Sequence, residues 1–331
     1  NNTVMGYYAL TANTTGADGV AVGFEALKAN TTGANNVGIG YRALNHNTTA
    51  GNNIAIGFEA LTTNVTGTAN VGVGFQALKI STGSNNTAIG DQAMEFTTTG
   101  TQNTAVGKGA LDANTTGSEN TALGYNSLTA NTTAGANTSI GHSSMFYTTT
   151  GANNVAIGQG AMYINSTGTK NVAVGNASLG ANTTADNNTA VGYASLGANT
   201  TGYGNTANGY QSLASNTTGY NSTATGYQAG YGITSGVENV HIGYRAGYHN
   251  YSHTTGSRCV IIGAYADVTT AGATDAQVIG QDVNGQGGYT TIGSGAADIR
   301  ALNGTATWAT VSDERYKKDI VDSTAGLSFI N

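Results

Sequence analysis

Hydrophobic and polar positions alternate along this chain in short bursts that recur. One burst reads Val37-Gly38-Ile39-Gly40-Tyr41 and the next reads Ile54-Ala55-Ile56-Gly57-Phe58. Large apolar residues hold every second position, with glycine or alanine between them. Period-two alternation predicts a β-strand. Each burst is closed by a glycine, and these glycines run from Gly6, Gly23 and Gly40 to Gly226 and Gly243. Fifteen such anchors define fourteen intervals; thirteen are 17 residues long and one, Gly74 to Gly90, is 16. The unit Asn-Thr/Val-Ala-Val/Ile-Gly-Tyr/Phe-x-Ala-Leu-x-x-Asn-Thr-Thr-Gly-x-x covers residues 1–247. A fixed period of this kind marks a solenoid.

Seventeen residues are too few for a helical hairpin, and Gly, Asn, Thr and Val are poor helix formers. Asn-Thr-Thr-Gly is turn chemistry. The prediction is therefore an all-β fold, a parallel β-roll or β-solenoid with one 17-residue coil per repeat. Each coil is expected to hold two short strands and two turns. The core is expected to take the Val/Ile face, part of the aromatic, and a leucine (Leu10, Leu27, Leu44, Leu61, Leu111, Leu128) from the second strand. The short interval aligns Lys79-Ile80-Ser81-Thr82-Gly83 with Lys28-Ala29-Asn30-Thr31-Thr32-Gly33, which places the deletion in the corner. Fifteen coils at about 4.8 Å make a rod of roughly 70 Å. A coil this thin leaves its Ala/Gly face bare unless another chain covers it, so a closed homo-oligomer, preferably a trimer, is expected. The interior is expected to turn polar at Asn208 and Thr225, where Gly230 and Gly247 replace the leucine.

Composition narrows the function classes. Only 8% of the 331 residues are charged, 50 are glycine, none is proline, and the net charge is −6. No basic stripe is present for nucleic acid, and no apolar run is long enough for a membrane span. A single cysteine, Cys259, excludes a disulfide framework. Charge is concentrated at one end: residues 312–331 hold seven charged side chains in twenty positions. Three regions follow. Residues 1–247 are the fifteen-coil repeat, 248–310 an irregular β adaptor, and 311–331 a segment of different character.

Two resemblances carry further expectations. The runs Asn153-Asn154-Val155-Ala156-Ile157-Gly158 and Asn171-Val172-Ala173-Val174-Gly175 resemble the head repeats of trimeric autotransporter adhesins. That family implies a left-handed parallel β-roll assembled as a trimer, although its repeats are a few residues shorter. The string Val311-Ser312-Asp313-Glu314-Arg315-Tyr316-Lys317-Lys318 resembles the start of the intramolecular chaperone domain of phage tail fibres, the endosialidase-type or peptidase S74 family. That resemblance implies self-cleavage on the amino side of Ser312, with Ser312 as nucleophile and Lys317 as base. The same residues also read as an ordinary helix start, with Ser312 as N-cap and acids in the first turn. The short tail after Ser312 and the initial Asn1 fit a fragment of a longer chain.

The expected function is a structural and adhesive segment of a phage tail fibre, located on the virion. Its expected partners are two further copies of itself, other tail proteins, and a host cell-surface glycan or protein; no nucleic acid, membrane insertion, cofactor or metal is expected. A bacterial trimeric adhesin head is the second reading and an ice-binding solenoid the third. The aromatic after each anchor glycine reads chiefly as a structural ladder, with Tyr210, Tyr227 and Tyr244 the residues for any glycan contact. Paired threonines such as Thr31-Thr32 read as corner chemistry, and an array of their hydroxyls is the basis of the ice-binding alternative. Asn13, Asn30 and Asn114 head Asn-x-Thr sequons. His241, His249 and His253 read as ordinary rather than metal-binding histidines. No pair of recurring carboxylates points to a glycosidase.

Overall fold

The computed structural model describes residues 1–248, 254–295, 297–304 and 309–310. Strands of three residues recur once per repeat, from Thr3–Met5 through Val37–Ile39 to Val240–Ile242. Each pairs in parallel with the strand one repeat later, so that Val37, Gly38 and Ile39 lie beside Ile54, Ala55 and Ile56. The ladder continues through Val260–Ile262, Gln277–Gln281 and Tyr289–Ser294. It ends where Ala297–Leu302 folds back antiparallel on Tyr289–Ser294, followed by Ala309–Thr310. These strands form one twenty-stranded sheet, and no helix occurs among the described residues. The fold is a parallel β-solenoid of 17-residue coils.

Coil positions are numbered here from the first strand residue, so that Val37 is position 1 and Asn53 position 17. In the regular coils only positions 1–3 are strand; above Val260 a second short strand, Asp267–Val268, pairs in parallel with Asn284–Gly285. Positions 5–10 form a turn in which Arg42 and Leu44 take φ of 54° and 52°. Leucine is not carried by a second strand, as the sequence pattern predicted; it sits at a left-handed turn position. Such a conformation costs about 1–2 kcal/mol per residue. Stacking enforces it: Leu44 donates its N–H to the Ala60 carbonyl of the next coil and accepts from the Asn47 N–H. The same bonds recur in every regular coil.

The second correction concerns the core. Ala55 at the strand centre is fully buried, whereas Ile54 and Ile56 are 37% and 38% exposed. The small face points inward and the Val/Ile face outward. The leucine explains this. Its side chain leaves the turn and lies over the strand centre: a Cβ added to Gly38 would meet Leu27 Cγ at 3.1 Å. Only a small side chain fits beneath it: alanine, glycine or, in one coil, Ser139. The core is thus a stack of alanines against Leu or Met. Asn208 and Thr225 face outward, so they do not make the interior polar.

Position 4 requires glycine. Its φ lies near +135° in Gly175, and a Cβ on Gly90 would lie 2.6 Å from the Gly107 carbonyl. One backbone rides on the next with no room between them.

Asparagine closes the polar side of the coil. At position 17, Asn36 Oδ1 accepts the Asn53 N–H at 3.0 Å, and Asn53 Nδ2 donates to the Gly67 carbonyl at 2.9 Å. At position 11, Asn47 Nδ2 donates to Asn30 Oδ1 and to the Ala50 carbonyl at 2.8 and 2.9 Å. Buried amides satisfied on both sides are stabilising rather than costly. The 16-residue coil loses its residue beside this ladder: Thr82 pairs with Thr98 and Gly83 follows directly.

Candidate functional site

The outward strand face recurs in every regular coil. Positions 1, 3 and 5 line up from coil to coil and bring Ile54, Ile56, Phe58, Ile89, Leu123 and Ile157 onto one strip. Each of these side chains is more than a third exposed. The strip is apolar chiefly at position 3, because position 1 is threonine in seven coils from Thr87 to Thr223. Monomeric proteins rarely expose contiguous apolar patches larger than a few hundred Å².

Position 5 forms an aromatic column along one side of this strip. Tyr7, Phe24, Tyr41, Phe58 and Phe75 stack with centroids 4.9–5.6 Å apart and planes within 16° of parallel. Asp91 and Lys108 interrupt the column with an ion pair at 3.0 Å. Tyr125 and His142 resume it, Gln159 and Asn176 break it again, and Tyr193, Tyr210, Tyr227 and Tyr244 complete it. Tyr210 and Tyr227 have stacked neighbours on both faces at 5.0–5.2 Å. Their exposed edges and hydroxyls are what a glycan could reach; their faces are occupied. Arg245 lies over Tyr227, Tyr244 and Tyr248, 4.7 Å from the last ring centroid. It also donates through Nε to Gln228 Oε1 at 3.0 Å.

A charged edge runs beside the lower aromatic column. Glu25 bridges Lys28 and Arg42 at 2.6 and 2.9 Å, and these partners hold its carboxyl below the usual range. Lys79 lies between Glu59 and Glu95. One coil further on, burial and then the nearby Glu95 push Asp112 up to about 6. The buried Asp112 Oδ1 has no hydrogen-bond partner.

Several residues singled out in the sequence take different roles in the structure. Thr31 Oγ1 donates to the Thr48 carbonyl of the next coil at 3.0 Å, and Thr98, Thr115 and Thr200 repeat the bond. The first hydroxyl of each pair is thus used within the rod, whereas the second threonine, as at Thr32, Thr116 and Thr201, is exposed. Asn30 and Asn114 are buried, and their side-chain nitrogens donate to Gly33 and Gly117. The sequon nitrogen is therefore inaccessible in the folded chain. His241 is buried at a strand centre, whereas His249 and His253 lie outside the described residues. No group of three His, Cys, Asp or Glu is placed to hold a metal among the described residues. No helix there is long and apolar enough to cross a membrane. Ser312 and Lys317 lie outside the described residues.

One feature was not visible in the sequence. Near the antiparallel end, Arg258, Asp275, Gln277, Thr290, Leu302 and Asn303 line a cavity of about 470 Å³. It exists because Ala297–Leu302 turns back and walls off three successive coil edges, which are remote from one another along the chain. No protein-family model, curated protein or solved structure matches the chain.

Proposed function

We propose that the chain is the fibrous, adhesive part of a phage tail fibre, in which three copies associate along their lengths as left-handed coils. The fibre extends from the virion and attaches to the host surface, and the segment beginning at Ser312 belongs to a self-cleaving chaperone that sets the register of the three chains. The observation that carries this reading is the outward Val/Ile and aromatic strip. It replaces the Ala/Gly face as the surface that another chain would cover. Burial of apolar surface is worth about 25 cal/mol per Å², and a strip tens of ångströms long provides enough area for stable assembly. In-register repeats slip easily, which gives a terminal alignment device a physical purpose.

The test is the mass of the full chain in solution by light scattering, with and without Ile56→Asp/Ile157→Asp. A trimer that the paired substitutions reduce to monomer supports the reading. A wild-type monomer defeats it. Intact mass of Ser312→Ala beside wild type reports the cleavage separately.

A further inference from the structure

We infer that the cavity at the antiparallel end is a binding subsite for a neutral sugar ring. The inference rests on the attachment role proposed above and gives it a place. Three observations lead to it.

The lining is polar, preassembled and without net charge. Arg258 donates from Nε and Nη2 to the two Asp275 carboxylate oxygens at 2.7 and 2.9 Å. This fork leaves three of the five guanidinium N–H groups, and lone pairs on both oxygens, for a ligand. The paired cation and anion carry no net charge, yet together they offer donors and acceptors in one plane. Vicinal hydroxyls, each able to donate and accept, match that edge.

The opposite wall is held with an acceptor in excess. Thr290 Oγ1 lies 2.8 Å from Asn303 Oδ1 and 3.3 Å from Gln277 Oε1. A threonine hydroxyl has one proton, so it can serve only one of these oxygens at a time. The other remains an acceptor for a ligand hydroxyl. Asn303 is itself fixed by its Nδ2, which donates to the Asp275 carbonyl at 2.6 Å. The two walls are therefore tied to each other. Leu302 adds an apolar surface for the C–H face of a sugar ring.

The cavity is of suitable size and is specific to its place. About 470 Å³ lies within the roughly 300–1,000 Å³ of small-molecule sites. The Arg258–Asp275 pair is about half exposed, and exposed pairs add little to stability. Its bidentate geometry is thus not required to hold the coil.

The experiment uses the full chain, with free glucose, galactose, mannose and N-acetylglucosamine as probes. Saturation-transfer NMR detects contact, and calorimetric titration gives affinity. At least one hexose is expected to bind in the millimolar range. Asp275→Asn and Thr290→Val are each expected to weaken it about tenfold while the melting temperature is unchanged. If Asp275→Asn proves unfolded, Thr290→Val alone carries the test, because it keeps volume and removes only the hydroxyl. Absence of transfer from all four sugars overturns the proposal. So does binding that both variants leave intact and Tyr227→Ala abolishes, which would move the contact to the aromatic ladder. Host-cell adsorption of the full chain separates the two levels. A chain that adsorbs without hexose binding here keeps the attachment role and loses this subsite.

Discussion

The lower and upper parts of the solenoid fill the same cross-section in opposite ways. In the regular stack, the strand centre is small and the turn is large: Ala55 with Leu61, Ala105 with Leu111, Ala190 with Leu196. Above Leu213 the sizes exchange. His241, Ile261 and Val278 take the strand centre, and Gly230 and Gly247 take the turn position. A Cβ on Gly247 would collide with His241 Cδ2, and one on Gly230 would lie 2.9 Å from Leu213 Cδ2. The core accordingly divides into two clusters, one of alanine, leucine and methionine ending at Ile233 and one containing Ile261, Val278 and Val283. A narrow coil fixes total volume across facing positions, and the chain is free to place that volume on either side.

The anchor glycine is common to both parts, so breaking it should erase the difference. Gly158→Val puts a branched side chain where the Gly175 backbone passes, at a φ of +133°. Loss of more than about 4 kcal/mol is expected. Because each coil contacts only its neighbours, the damage should divide the rod. Hydrogen exchange should show protection lost around residues 141–175 and retained in the flanking coils. Uniform protection throughout would contradict the close backbone approach.

The exchange of sizes can be tested directly. His241→Ala should leave a void and cost about 2–4 kcal/mol. Gly247→Leu alone should cost as much or more through overlap with the imidazole. Combined, they remove the overlap between residue 247 and the imidazole, and should recover part of both losses. A coupling of roughly 1–3 kcal/mol in denaturant unfolding is expected. Strict additivity would show that the two positions do not share volume.

These corrections show where the sequence could be read and where it could not. Period, strand location, parallel register and the corner deletion all follow from spacing alone, because a 17-residue repeat brings like residues together wherever the coil bends. Which face points inward does not follow. Alternation defines two faces, and residue size by itself assigns Val37 and Ile39 to the interior. The deciding fact is the left-handed turn at Leu44, which returns the leucine over the strand centre. Nothing in the local sequence marks leucine for that conformation. The buried Asn columns were visible as residues, but their turn-forming chemistry hid their role as ladders. The polar cavity was beyond reach because Asn303 joins the stacked Arg258, Asp275 and Thr290 only through the final antiparallel strand.

The regular stack also contains a local electrostatic fault. Asp112 has a folded pKa raised from 3.8 to about 6, through burial first and Glu95 second. A raised carboxyl binds its proton more tightly in the folded state, so stability increases as pH falls through 6 and levels off below about 4. The ionised form is the destabilised one at neutral pH. Asp112→Asn should therefore raise the melting temperature at pH 7. It should also remove the gain that wild type shows between pH 7 and 5. The same gain in both proteins would place the titrating group elsewhere.

The smallest effect expected concerns the position 11 ladder, which is broken at Ser81, at Thr97 and again where Thr148 stands between Asn131 and Asn165. Thr148 Oγ1 and Asn131 Oδ1 are both buried without a hydrogen-bond partner. Where the ladder is intact, as at Asn182, the amide nitrogen donates both to the Oδ1 of the coil below and to its own corner carbonyl. Thr148→Asn restores this pattern, giving Asn131 Oδ1 a donor and the Gly151 carbonyl a second contact. At about 1 kcal/mol net for each bond, the gain should be about 1–2 kcal/mol, read as a slightly higher denaturant midpoint with unchanged slope. Ile233 breaks the same column in the upper part and is fully buried against the lower apolar cluster. Ile233→Asn should therefore destabilise. The ladder is an asset only where the coil keeps its alanine and leucine sizes, and the opposite signs of these two substitutions would locate that change between residues 148 and 233.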